Sequence, residues 1–320
     1  MAYQQERRYR PFDAQAAASS LVRAADALDN NYEEAANRII ELVAYSSWQD
    51  RRVMVSTAQG MGRDVVKEVR RKTKGDFQKG LMALLLPAPV RDADWIRDAI
   101  TGIMKKKNVA REILCTRTPT QLRAISESYS LKYGKDMIAD VLGTFGGKER
   151  KLYERLLTVD RLEGNYVDRD HARSIAQSLY AAGPAKWGTD EGPYMDLMAT
   201  EGTETVRAVF REYETLYGQS LFTVMDKEFR GGLEKDLLTL GKFVVEPAKA
   251  FADMIHKGCK GLGTDEEQLI RAIIARKDID LREIKDVYEA QHGSLIDTVR
   301  SETSGDFRNL LLAVIDSVAY

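Results

Sequence analysis

Apolar residues recur three and four positions apart along most of the chain, and sustained strand-like alternation is scarce, so helices are predicted throughout. The last quarter shows the pattern best. Ala250, Phe251, Met254 and Ile255 share one helical face, and Leu269, Ile270, Ile273 and Ile274 share the next. Ile284, Val287 and Tyr288 form a third face, which Gly293 should end as a glycine just past a helix C-terminus. Leu295, Ile296 and Val299 predict a short fourth helix, and Phe307, Leu310, Leu311, Val314 and Ile315 a fifth.

The same layout recurs upstream. The segments QLRAISESYSLKYG, TVRAVFREYETLYG and DLREIKDVYEAQHG begin at Gln121, Thr205 and Asp280. In each, an arginine (Arg123, Arg207, Arg282) precedes a tyrosine (Tyr129, Tyr213, Tyr288) by six residues and a glycine (Gly134, Gly218, Gly293) by eleven. A weaker copy, DRRVMVSTAQGMG from Asp50, keeps Arg52 but has Ala58 where the tyrosine would stand. Successive arginines are separated by a period too long for a short solenoid repeat and suited to small helical bundles. We expect an all-α chain of four repeats of five helices each, over 11–87, 88–160, 168–244 and 246–318. Residues 1–10 should form a short, disordered arginine-rich tail. The polar stretch VDRLEGNYVDRD (159–170) is expected to join the first pair of repeats to the second pair. The recurring arginines are read as structural, pairing with helix ends or acids.

Composition changes the picture mainly by exclusion. With 48 basic and 49 acidic residues among 320, the formal charge is −1, and nothing global points to nucleic acid. Two cysteines, Cys115 and Cys259, cannot make a disulfide framework and suit a reducing compartment. MAYQQERRYRPF has no apolar core, so no signal peptide is expected. The best apolar run, LMALLLPAPV (81–90), is broken by prolines and falls short of the roughly 18 residues of a spanning helix. The expectation is a cytoplasmic protein whose membrane contact, if it has one, is peripheral.

The candidate chemistry lies in two short strings. KGCKGLGTDE runs from Lys257 to Glu266, and GPAKWGTDE runs from Gly183 to Glu191. Each is followed by an acid at nearly the same distance: Glu302 stands as far beyond Gly263, to within one position, as Glu228 does beyond Gly188. Glycines at these turns allow positive φ, so several carbonyls can converge on one point. Carbonyl oxygen is a hard ligand for Ca²⁺, and a carboxylate from a distant turn would supply charge. Thr264 is expected to be the N-cap of the following helix, in a capping box with Glu267. Neither string is a phosphate-binding P-loop, since the Gly-Lys-Ser/Thr ending is missing, and no EF-hand loop is present. The three histidines (His171, His256, His292) form no HExxH, and there is no GxSxG elbow, so no enzymatic activity is expected.

Four five-helix repeats, the KGLGTDE and KWGTDE loops and the equally spaced downstream acids together resemble the annexin family over about residues 11–318. The resemblance implies a superhelical disc of four repeats and calcium-dependent binding to anionic phospholipid. In that family the ion sits in the loop between the first two helices of a repeat and bridges to lipid phosphate. Carried over residue by residue, the fourth site would use carbonyls of Cys259, Gly261 and Gly263 with the carboxylate of Glu302. The third would use carbonyls of Gly183, Lys186 and Gly188 with Glu228. One carboxylate among neutral carbonyls makes a weak site, near the roughly 10⁻⁴–10⁻³ M class, which lipid phosphate can complete. Calcium and membrane should therefore reinforce one another. Trp187 and Leu262 at the loop tips are expected to contact the membrane interface.

The first two repeats depart from this pattern. The first loop, ALDNNYEEAA (27–36), lacks the glycine turn, and Lys72 stands at the closing position. The second, MKKKNVARE (104–112), is short, and its closing position is Thr144. Neither is expected to bind calcium in this manner. Gly192 and Pro193 after Glu191 also suggest a less secure helix start in the third repeat. Arg70, Arg71 and Lys72 of the first repeat, and Lys105, Lys106 and Lys107 of the second, are candidate fixed cations for a membrane face, each worth about 1 kcal/mol near anionic lipid. Their plainer reading is a solvated charged surface. The partners expected are an anionic membrane and, as relatives do, further copies of the chain on the bilayer. The alternative is a cytoskeletal scaffold with reduced membrane binding.

Overall fold

The computed structural model describes residues 12–102, 104–159, 161, 167–260 and 263–318. Among them the chain forms twenty α-helices, one 3₁₀ turn and no strand. The first five are α1 (Ala14–Ala27), α2 (Tyr32–Ala44), α3 (Trp48–Gly60), α4 (Val65–Lys72) and α5 (Gly75–Leu85). The next are α6 (Ala88–Thr101), α7 (Lys107–Thr116), α8 (Pro119–Tyr133), α9 (Met137–Leu142) and α10 (Gly147–Thr158). Then come α11 (Arg169–Ala182), α12 (Gly192–Thr200), α13 (Thr203–Tyr217), α14 (Leu221–Glu228) and α15 (Gly231–Val245). The last are α16 (Pro247–Cys259), α17 (Glu266–Ala272), α18 (Leu281–His292), α19 (Leu295–Glu302) and α20 (Gly305–Asp316), with the 3₁₀ turn Ile274–Arg276 after α17.

The chain divides into two compact units, one of Met1–Ala88 with Phe251–Tyr320 and the other of Pro89–Ala250. The first five helices thus share a unit with the last, and the polar connector 159–170 lies inside the second unit instead of between two pairs in chain order. The reason is packing. In the first unit, α5 lies on both α17 and α20, and α2 lies on α20. Gly80 of α5 permits this: a Cβ there would stand 2.7 Å from Leu310 Cδ2 and 3.0 Å from Ile274 Cδ1. In the second unit, α15 packs on α7, α10, α12 and α13.

Each third helix buries its patterned residue: Ala58, Tyr129 and Tyr213 are fully buried, and Tyr288 nearly so. Arg207 binds the Val244 carbonyl at 2.7 Å and Glu204 at 2.5 Å, a helix-end and acid pairing. His256 and His292 stack face to face at 3.7 Å, a packing role for both.

Candidate metal centres

Among the described residues ten glycines adopt positive φ. Eight recur twice per repeat: Gly62, Gly134, Gly218 and Gly293 follow the third helix, and Gly75, Gly147, Gly231 and Gly305 open the fifth. The other two, Gly188 (φ +77°) and Gly263 (φ +96°), lie in the first-to-second-helix loops of the third and fourth repeats. Such turns are open to glycine because it has no Cβ to clash with the carbonyl. The described residues of the other two loops contain no such turn.

The fourth-repeat loop runs from the end of α16 to the start of α17. Its base is pinned where the Asp265 N–H donates to the Gly258 carbonyl at 2.8 Å. Glu302, the last residue of α19, stands opposite: the Thr264 hydroxyl donates to its carbonyl at 2.9 Å and reaches its carboxylate at 3.4 Å. Gly263 and Glu302 are therefore neighbours despite their separation in sequence. Burial, and then the charge of Glu302, push the Cys259 thiol up to about 11, so it stays protonated at neutral pH. Gly261 and Leu262 lie outside the described residues. The expected capping box is absent. Asp265, not Thr264, caps α17 by accepting from Gln268 N at 2.9 Å. Glu267 bonds Lys79 at 2.9 Å, and Thr264 is turned toward the closing acid.

The third-repeat loop follows the same plan. The Asp190 N–H donates to the Ala182 carbonyl at 2.8 Å, and the Thr189 hydroxyl donates to Glu228 Oε2 at 2.5 Å. The carbonyl of Gly183 accepts from Lys186 N at 3.1 Å, which tightens the turn and leaves one lone pair free. Gly183 itself is dictated from below: a Cβ there would meet the Tyr194 hydroxyl at 2.6 Å. That hydroxyl donates to the Leu179 carbonyl at 2.9 Å. Lys186, Trp187 and Gly188 are exposed, and Trp187 at the tip is 102% exposed. The start of α12 is secured without a glutamate: Asp190 Oδ1 accepts from Gly192 N at 3.0 Å, and Pro193 occupies the first turn, where an N–H is not needed. Of the threonines after each loop glycine, Thr189 was not singled out from the sequence, and Thr264 was expected as a helix cap instead of a partner of the closing acid. Their shared place in GTDE, opposite two acids, was the available signal.

In the first repeat the closing position is filled differently. Lys72, last residue of α4, sends its ammonium to the carbonyls of Ala25 (3.0 Å) and Asp26 (3.3 Å) at the end of α1. It also pairs with Asp29 at 2.6 Å, and its side chain is only 8% exposed. Lys72 is thus withdrawn from the expected set of membrane-facing cations, since its donors are engaged within the repeat. Arg70 and Arg71 are exposed. In the second repeat Lys105 Nζ lies 3.4 Å from the Thr144 hydroxyl, and Lys107 lies over the Phe145 ring at 5.2 Å. Lys105 and Lys106 are exposed.

Among the described residues no cluster of three or more His, Cys, Asp or Glu side chains stands together as a metal site. The candidate centres depend on backbone oxygens completed by one acid each. No helix among the described residues is long and apolar enough to cross a membrane.

The annexin family model matches residues 91–156, 174–240 and 250–314. Annexin A13 of Homo sapiens is 34% identical over 306 residues, covering 95% of this chain and 96% of the relative. Annexin A5 of Bos taurus is 32% identical over 302 residues, covering 94% and 93%. The solved structure of annexin III superposes with a TM-score of 0.89 at 28% identity, covering 97% of this chain and 95% of the other.

Proposed function

The chain belongs to the annexin family, whose general activity is calcium-dependent phospholipid binding, and we propose that in this member the third and fourth repeats carry it. The observation behind this is the pairing of a left-handed loop glycine with a remote glutamate, tied by a threonine, in those two repeats. Carbonyls of Gly183, Lys186 and Gly188 with Glu228, and of Cys259, Gly261 and Gly263 with Glu302, would hold the ion. The donor set fits Ca²⁺, which accepts neutral carbonyl oxygens with few charged ligands. When bound, calcium supplies positive charge shared between loop oxygens and lipid phosphate. The chain's own residues prepare for it. Thr189 and Thr264 orient the two carboxylates, and the Asp190 and Asp265 amides fix the loop bases.

Trp187, exposed at its loop tip, would enter the headgroup region, an environment suited to an amphipathic ring. Exposed Lys105 and Lys106, with Arg70 and Arg71, would add calcium-independent attraction to anionic lipid. Within the second unit, Lys148 near the second repeat's closing turn bonds Glu191 at the end of the third loop, which supports that reading. The proposed role is binding at a cytoplasmic membrane surface, not catalysis.

Sedimentation with phosphatidylserine vesicles, in calcium and then in chelator, tests the reading. Glu228→Gln and Glu302→Gln should each lower the calcium-dependent fraction, and the double variant should abolish it. Unchanged binding of the double variant would overturn the assignment. A parent chain that stays in the supernatant with vesicles and calcium would favour the cytoskeletal scaffold.

A further inference from the structure

The first repeat has a lysine, not an acid, at its closing position, and that position is not idle. Three fourth helices end in register: α4 at Lys72, α14 at Glu228 and α19 at Glu302, each three residues before a left-handed glycine (Gly75, Gly231, Gly305). From that common place, Glu228 and Glu302 face a loop that follows the repeat's first helix. Lys72 faces the equivalent loop, but with the charges exchanged. Its ammonium meets two carbonyls from the end of α1 and the carboxylate of Asp29, at 3.0, 3.3 and 2.6 Å. An ammonium has three N–H donors, and these three acceptors account for all of them. We propose that Lys72 is a tethered cation occupying the place a calcium ion takes in the third and fourth repeats, so that the first-repeat loop is held in its ordered form whether or not calcium is present.

Three features favour this over an ordinary lysine at a helix C-terminus. The cation is nearly buried, where an unpaired charge is costly. Its carboxylate partner comes from the loop, so acid and cation have traded sides relative to the other repeats. In the second repeat the cation lies on the other side, in the loop, yet a lysine again bridges loop and closing turn: Lys105 reaches the closing residue Thr144 at 3.4 Å. A fixed ammonium has no open coordination positions for lipid phosphate. The first-repeat loop is therefore an ordered, calcium-silent element, and the calcium response of the first unit comes from the fourth repeat.

The proposal rests on reading Glu228 and Glu302 as calcium ligands, and its test is chosen to separate the two. Thermal unfolding of the full chain is followed in chelator and in millimolar calcium, and calcium stoichiometry is measured by titration calorimetry. Lys72→Met should lower the transition in chelator by roughly 5 °C in a chain of this size, and calcium should not restore the loss. Lys72→Glu should fall at least as far in chelator, but calcium should restore most of the loss, with one further calcium ion bound per chain. Pairing Lys72→Glu with Asp29→Lys should restore stability in chelator, because a cation again meets an acid at the same place. A Lys72→Met variant as stable as the parent would overturn the proposal. So would a Lys72→Glu variant that calcium neither stabilises nor binds beyond the parent stoichiometry. Failure of the ligand reading would appear elsewhere, as unchanged calcium binding in Glu228→Gln and Glu302→Gln.

Discussion

Replacing Trp187 with alanine isolates the proposed membrane contact from the fold. At 102% exposure the side chain has no packing to lose. Thermal stability should therefore stay within about 0.5 kcal/mol of the parent, as for an ordinary surface change. Its role at a membrane can be sized. A tryptophan buries roughly 150–250 Å² when fully covered. If about half of that enters the interface, ~100 Å² at ~25 cal/mol per Å² gives ~2.5 kcal/mol. At ~1.4 kcal/mol per decade, the substitution should weaken vesicle binding by roughly 60-fold in calcium. The chain has three tryptophans, so a Trp48→Phe, Trp95→Phe background lets Trp187 emission report alone. In that background, calcium with anionic vesicles should shift the emission to the blue, and brominated lipid should quench it; chelator should reverse both. Trp187→Ala binding vesicles as tightly as the parent, or an emission unmoved by vesicles, would refute the reasoning.

Two other predictions concern different parts of the molecule. Asp236, fully buried beneath Arg111 and Tyr153, has Oδ2 without a hydrogen-bond partner, and burial raises its carboxyl to about 6. Its folded pKa exceeds the unfolded value, so the folded state holds the proton more tightly and stability falls as pH rises from about 4 to 6. The loss should total roughly 3 kcal/mol by pH 7, given ~1.4 kcal/mol per pK unit. Asp236→Asn should flatten that part of the stability curve in denaturant titrations at pH 5 and 7; parallel curves for the two proteins would contradict it. Gly263→Ala places a Cβ at φ +96°, a strain of ~1–2 kcal/mol confined to the fourth loop. Where the calcium-free loop relaxes to relieve that strain, global unfolding in chelator should move little and the cost falls on binding: calcium affinity measured by calorimetry should fall about tenfold; unchanged affinity would show that the turn does not shape the site.

The periodicity of the chain by itself determined that it is helical, where the five helices of the last repeat lie, and that their layout recurs. Spacings of three and four are local, and glycines such as Gly134 and Gly218 end helices whatever surrounds them. The two candidate loops were legible for a similar reason: a glycine turn and a single acid per repeat are marks that one sequence can show twice. The tertiary structure decided what depends on residues distant in sequence. It packed the first five helices with the last, through the close approach that Gly80 allows, which no connector composition could reveal. It turned Thr264 from a helix cap to a partner of Glu302, because the acid arrives from a different helix. Above all it drew Lys72 inward. Along the chain, Arg70, Arg71 and Lys72 read as one basic run, but only the fold brings the carbonyls at the end of α1 and the Asp29 carboxylate against one of the three.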